Sequence, residues 1–87
     1  MTTTQADCIK AIKLGLAGEW DGAHAIVQDA PSAEAAWVHA WLHRVEGDLA
    51  NAGYWYRRAG QPMPAGDVAS EGRAIAASLG AILDDDT

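Results

Sequence analysis

Phenylalanine is missing from this 87-residue chain, cysteine occurs once, proline three times, and six Lys and Arg face twelve Asp and Glu. Each scarcity excludes something. With Cys8 alone no internal disulfide forms, so the chain is not a disulfide-stapled scaffold. A net charge of −6 without a basic stripe lacks the electrostatic footprint for phosphate backbones or anionic bilayers, which argues against nucleic acid and membrane partners. No apolar run approaches the length of a membrane span. Met1-Thr2-Thr3-Thr4 carries neither a positive region nor an apolar stretch and does not read as a signal peptide, so a reducing, cytoplasmic setting is expected. A phosphate-cradling glycine loop, a nucleophile elbow and paired catalytic carboxylates are also missing, so neither an enzyme nor a cofactor is expected.

What is present is tryptophan and alanine. A chain this short buries a modest fraction of its surface, so its core must be dense in large side chains. Four Trp meet that need, while abundant Ala supplies helix propensity and lets helices approach closely. The expectation is one all-α domain over residues 1–87.

Five helices follow from periodicity and capping. Thr4 caps a first helix from Gln5 to about Ala17, with Asp7 in its first turn and Cys8, Ile9, Ile12 and Leu16 as its apolar stripe. Gly18 stops it. A second helix runs from about Trp20 to Asp29 with Trp20, Ala23, Ile26 and Val27 on one face and His24 at its edge. Pro31 breaks the chain and Ser32 caps a third helix, Ala33 to Glu46. That helix is apolar around most of its circumference and should be central. Gly47 ends it and Asp48 caps a fourth, Leu49 to Ala59, with Leu49, Ala52, Trp55, Tyr56 and Ala59 on one face. Residues 60–66, with two prolines, form the linker. Asp67 then caps a fifth helix to about Leu83, striped by Val68, Gly72, Ile75, Leu79 and Ile82. Asp84-Asp85-Asp86 oppose a helix C-terminal dipole and read as a frayed tail.

The segment Gly18-Glu19-Trp20-Asp21-Gly22-Ala23-His24-Ala25-Ile26-Val27 recurs in kind as Gly47-Asp48-Leu49-Ala50-Asn51-Ala52-Gly53-Tyr54-Trp55-Tyr56, 29 positions on. Each unit is a helix, a glycine-acid break and a second helix, the mark of a helical-hairpin repeat. The second unit resembles a tetratricopeptide repeat from Ala40 through Gly47, Asp48, Ala52, Tyr56 and Ala59 to Pro64. The first unit matches at Ala11, Gly18, Ala23 and Val27. Ala36 and His39 stand where that family has tryptophan and leucine, and the spacing is shorter than the usual 34. The stretch from Trp37 to Gly60 is also similar to a segment shared by an uncharacterised group of bacterial proteins. The resemblance implies a right-handed stack of two antiparallel hairpins (residues 5–29 and 33–59) closed by a C-terminal capping helix (residues 67–83).

Two constellations carry functional expectations. Trp37, Trp41 and Arg44 form a stripe, with Glu34 one turn earlier. By the resemblance these line the concave, ligand-facing side, joined by Gln5, Cys8 and Ile12. The competing and preferred arrangement has helix five lying in that groove and burying the tryptophans. His39 and His43 stand one turn apart with Glu46 beyond, and His24 could add a ligand from the neighbouring helix, which allows a metal or small-ligand site. Histidines packed on Ala36 and Ala40 and bonded to backbone or carboxylate are the preferred account. Arg57, Arg58 and Tyr54 face outward, with a surface ion pair to Glu46 or Asp48 preferred over stacking on Trp55 or Tyr54. Cys8 reads as a small buried thiol. The expected function is a non-enzymatic interaction module for a protein or peptide, with self-association as a homodimer the favoured version. The alternative is metal or small-ligand binding through His24, His39, His43 and Glu46.

Overall fold

A computed structural model describes residues 4–80. Among them lie five α-helices and no strand: α1 Gln5–Leu16, α2 Trp20–Val27, α3 Ala33–Val45, α4 Leu49–Ala59 and α5 Val68–Ser78. The all-α expectation holds.

Local chemistry sets the boundaries. Thr4 accepts a hydrogen bond from the Asp7 backbone N–H while the Asp7 carboxylate accepts from the Thr4 N–H, a reciprocal capping box at 3.1 Å each way. Ser32, Asp48 and Asp67 cap α3, α4 and α5 through their side chains. The two glycine-acid corners are the same device. Gly18 (φ +86°) and Gly47 (φ +88°) take the left-handed conformation, and the next residue's N–H reaches back into the helix, Glu19 to the Leu14 carbonyl at 2.8 Å and Asp48 to that of His43 at 2.9 Å. They differ on the far side: Asp48 caps α4, whereas Glu19 makes no side-chain cap on α2.

The α3 helix packs against all four others, α5 lies against α1 and α3, and α4 lies against α3 alone. Alanines form the seams, with Ala11, Ala23, Ala35, Ala40, Ala52 and Ala76 all fully buried. The main core gathers Cys8, Ile12, Val27, Val38, Leu42 and Ile75 around Trp41. A smaller cluster of Ala40, Ala52 and Tyr56 seats α4. Leu49 departs from the expected apolar face: it is 56% exposed, because α4 has only one helical neighbour and its first turn projects past the contact. The α5 helix also closes early. Gly80 turns at φ +98° and the last helical residue is Ser78, whereas the apolar periodicity extends to Leu83; Ile82 and the acidic tail lie outside the described residues.

Trp41 is 1% exposed, and its ring lies between two glycines from different helices. A Cβ built on Gly15 would lie 2.7 Å from its Cζ3, and one on Gly72 would lie 2.5 Å from its Cζ2. Neither backbone could come so close with a side chain attached. Its indole N–H donates to the Val68 carbonyl at 2.7 Å, fixing the first residue of α5. Gly72→Ala is therefore expected to destabilise by about 1–3 kcal/mol through overpacking. Gly22→Ala, whose Cβ would make only an ordinary 3.8 Å contact with Leu14, should stabilise α2 by about 0.5–1 kcal/mol. Chemical denaturation of both variants checks the opposite signs.

Candidate functional site

The tryptophan stripe on α3 divides. Trp41 is core, and Arg44 is committed internally: its guanidinium bonds Glu71 at 2.7 Å and also donates to the Gly66 carbonyl. The side chains of Arg44 and Glu71 are 10% and 9% exposed, and the second Glu71 oxygen accepts from the Tyr56 hydroxyl. Burial and the Glu71 carboxylate push the Tyr56 phenol above its ordinary range, so it stays a proton donor. Trp41 thus lies under α5, as the arrangement with helix five in the groove expects, and Arg44 is corrected from a partner-facing residue to part of the fastening for α5. Cys8 and Ile12 are buried as well. Gln5, Glu34 and Trp37 remain at the surface. Trp37, half-buried, is the shared wall of two adjoining open hollows of about 240 and 230 Å³, the first lined also by Gln5, Glu34 and Ala59, the second by Pro62, Pro64 and Ala74.

The histidines converge. One ring nitrogen of each of His24, His39 and His43 lies within 4.8 Å of the others. The α3 helix contributes His39 and His43 from successive turns, and the packing of α2 on α3 across the 28–32 connection lets His24 Nε2 meet His39 Nε2 at 3.1 Å. One of these two rings donates and the other accepts. His43 donates from Nδ1 to Glu46 Oε2 at 2.7 Å, as a packing role predicts. His39 behaves otherwise: it is 4% exposed and its Nδ1 has no hydrogen-bond partner among the described residues. Indoles hold two of the rings. Trp20 stacks on His24 (centroids 4.6 Å, 13° between planes) and Trp55 on His39 (4.0 Å, 16°). Trp20 is itself anchored by donating its N–H to the Leu42 carbonyl at 2.6 Å.

Sequence reasoning assembled the imidazoles but missed these indole walls. Trp20 and His24 stand four residues apart on one helix face, a signal that was available. Trp55 reaches His39 only through the α3–α4 packing, which no local spacing encodes. Arg58 also departs from expectation. It lies over the Trp55 ring at 5.3 Å and bonds the Tyr54 hydroxyl at 3.1 Å, while among the described residues neither it nor Arg57 pairs with Glu46 or Asp48. The aromatic faces of Tyr54 and Trp55 offer more to a planar cation than a solvated carboxylate does.

No protein-family model, curated protein or solved structure matches this chain. The site therefore has to be read from its own chemistry.

Burial, and secondarily the neighbouring imidazoles, pushes the His39 pKa down to about 4, and burial lowers that of His24 as well. In the unfolded chain such a ring titrates near 6.5. Because the folded pKa is the lower one, the unfolded state binds the proton first as pH falls. Stability in metal-free buffer should be intact above about pH 6.5 and decline towards pH 4 by on the order of 3 kcal/mol, with the melting temperature against pH as the measurement. Burial, aided by the charges of Glu34 and Asp7, raises the Cys8 thiol to about 11. Native protein at pH 8 should react with a thiol reagent slower by roughly a hundredfold or more than the chain unfolded in guanidinium.

Proposed function

We propose that the chain is a non-enzymatic, tetratricopeptide-like interaction module: α1–α2 and α3–α4 as antiparallel hairpins in a right-handed stack, with α5 as the capping helix. The five-helix order, the matched corners and the alanine seams support that reading. The α5 helix fills the concave side, so the partner surface contracts from the Trp37/Trp41/Arg44 stripe to Trp37 with Glu34 at its rim.

The observation that carries the proposal is the environment of Trp37. Trp20 and Trp41 bond their N–H groups to backbone carbonyls, whereas Trp37 borders two open hollows with no acceptor for its indole among the described residues. A partly buried indole bordered by small concavities suits an interface anchor, combining large apolar area with a free donor. The favoured partner is a second copy of the chain, because a short helical array leaves apolar ends uncovered and a two-fold pair covers them. Exposed Leu49 and Tyr54 on α4 are such an end.

Light scattering across a concentration series tests this. The native chain should shift from monomer to dimer mass. Trp37→Ala should weaken the association about thirtyfold or more, the effect of losing roughly 2 kcal/mol at an anchor, with helical circular dichroism retained. A chain that stays monomeric to millimolar concentration would remove the homodimer. Association that survives Trp37→Ala but is lost in Leu49→Lys would move the interface to the α4 end.

A further inference from the structure

We propose that His24, His39 and His43 bind one divalent transition-metal ion of the zinc class at the seam between α2 and α3. The proposal is independent of the interaction reading, which rests on Trp37.

The donors have the right type and placement. Imidazole nitrogen suits zinc, nickel and copper, and three protein nitrogens leave four-coordinate zinc one position for water. With Zn–N bonds of 2.0–2.1 Å, two nitrogens on one tetrahedral ion lie about 3.3 Å apart. His24 Nε2 and His39 Nε2 already stand at 3.1 Å, and a nitrogen of the third ring falls within the 4.8 Å envelope. Metal-bound histidine commonly gives its other N–H to a carboxylate, which sets the ring's orientation and raises its basicity. Glu46 holds His43 in that manner. Stacking on Trp20 and Trp55 restricts the other two rings.

The packing role leaves a remainder. A buried polar atom without a partner costs about 1–3 kcal/mol, and His39 Nδ1, in a residue 4% exposed, is such an atom. Between His24 and His39 a single proton must also be shared, so one of the pair is restricted to the acceptor tautomer. An ion accepting both Nε2 lone pairs needs no shared proton and sets each ring's proton on Nδ1, although the His39 Nδ1 stays unpartnered in either case. Charge is favourable too. The three rings are uncharged when they ligate, and Glu46, Asp21 and Asp29 act on His24 as nearby negative charges. Because α2 and α3 belong to different helix pairs, one ion would cross-link them.

Zinc titration of the full chain after chelator treatment tests the site. Calorimetry should give one ion per chain, and zinc at a hundredfold excess over its Kd should raise the melting temperature by roughly 10 °C or more. His24→Gln, which alters the most accessible of the three rings, should weaken binding at least tenfold. Glu46→Gln should keep the 1:1 stoichiometry and weaken binding by roughly tenfold to a hundredfold. In the unmutated chain, nitrogen-15 spectra should show three imidazoles moving on zinc addition, a readout that survives if a variant folds poorly. Absence of saturable 1:1 binding, an affinity unchanged in His24→Gln, or unmoved imidazole resonances would each overturn the proposal.

Discussion

The position of α5 depends on Trp41. Its ring occupies the space that side chains on Gly15 and Gly72 would need, so α1 and α5 both lie against the same indole on α3. Its N–H then captures the Val68 carbonyl, and three residues further along α3 Arg44 captures the Gly66 carbonyl just ahead of it. Two donors from one helix thus hold the entry of another. This connects with the missing phenylalanine. A phenyl ring could fill the same volume but could not fasten a carbonyl, and a chain this short has few other ways to combine burial with direction. Trp20 repeats the arrangement at the α2–α3 seam through Leu42.

The Arg44–Glu71–Tyr56 group adds specificity more than stability. A desolvated ion pair gains little over an apolar replacement of equal shape, whereas removing one partner leaves a buried charge and costs several kcal/mol. Glu71 accepts at both oxygens, from Arg44 on α3 and from Tyr56 on α4. A slide of α5 along its groove by one turn would strand all three groups. Such a slide would also carry Gly72 away from the Trp41 ring, which leaves no room there for a Cβ. The polar contacts select one register.

What could be read from the residues divides along the same line. The corners at Gly18 and Gly47 were legible because a left-handed glycine and the backbone bond that closes the helix behind it act within a few residues. The centrality of α3 was legible from an apolar surface that covers most of its circumference. The roles of Trp41 and Arg44 were not, since at three- and four-residue spacing a groove-lining stripe and a stripe under another helix look alike. What separates them is Glu71, 27 residues beyond Arg44, and the two glycines that admit the ring. Leu49 misled for the opposite reason: its helical phase is right, but the neighbour that would cover it does not exist in the described fold. For the histidines, the one-turn spacing on α3 was visible, His24 required the α2–α3 packing, and Trp55 required the α3–α4 packing.

That histidine layer is the place where this molecule departs from its own rules. Elsewhere its seams are alanine, chosen for close approach and free of polar atoms, and its buried polar groups are paired. Between α2 and α3 three imidazoles pack together, His39 stacked on His43 and His24 edge-on to both, with indoles stacked on His24 and His39 and one nitrogen left unpartnered. Leucine or alanine there would avoid the desolvation of three titratable rings and the loss of stability towards low pH. In a domain whose margin is a few kcal/mol, such a layer is a substantial cost. Local choices that conflict with an otherwise consistent fold mark the positions retained for something other than folding. Here the conflict has a specific chemical form, three imidazoles brought together where two must share one proton, and a shared cation is the ligand that would use their nitrogens without it.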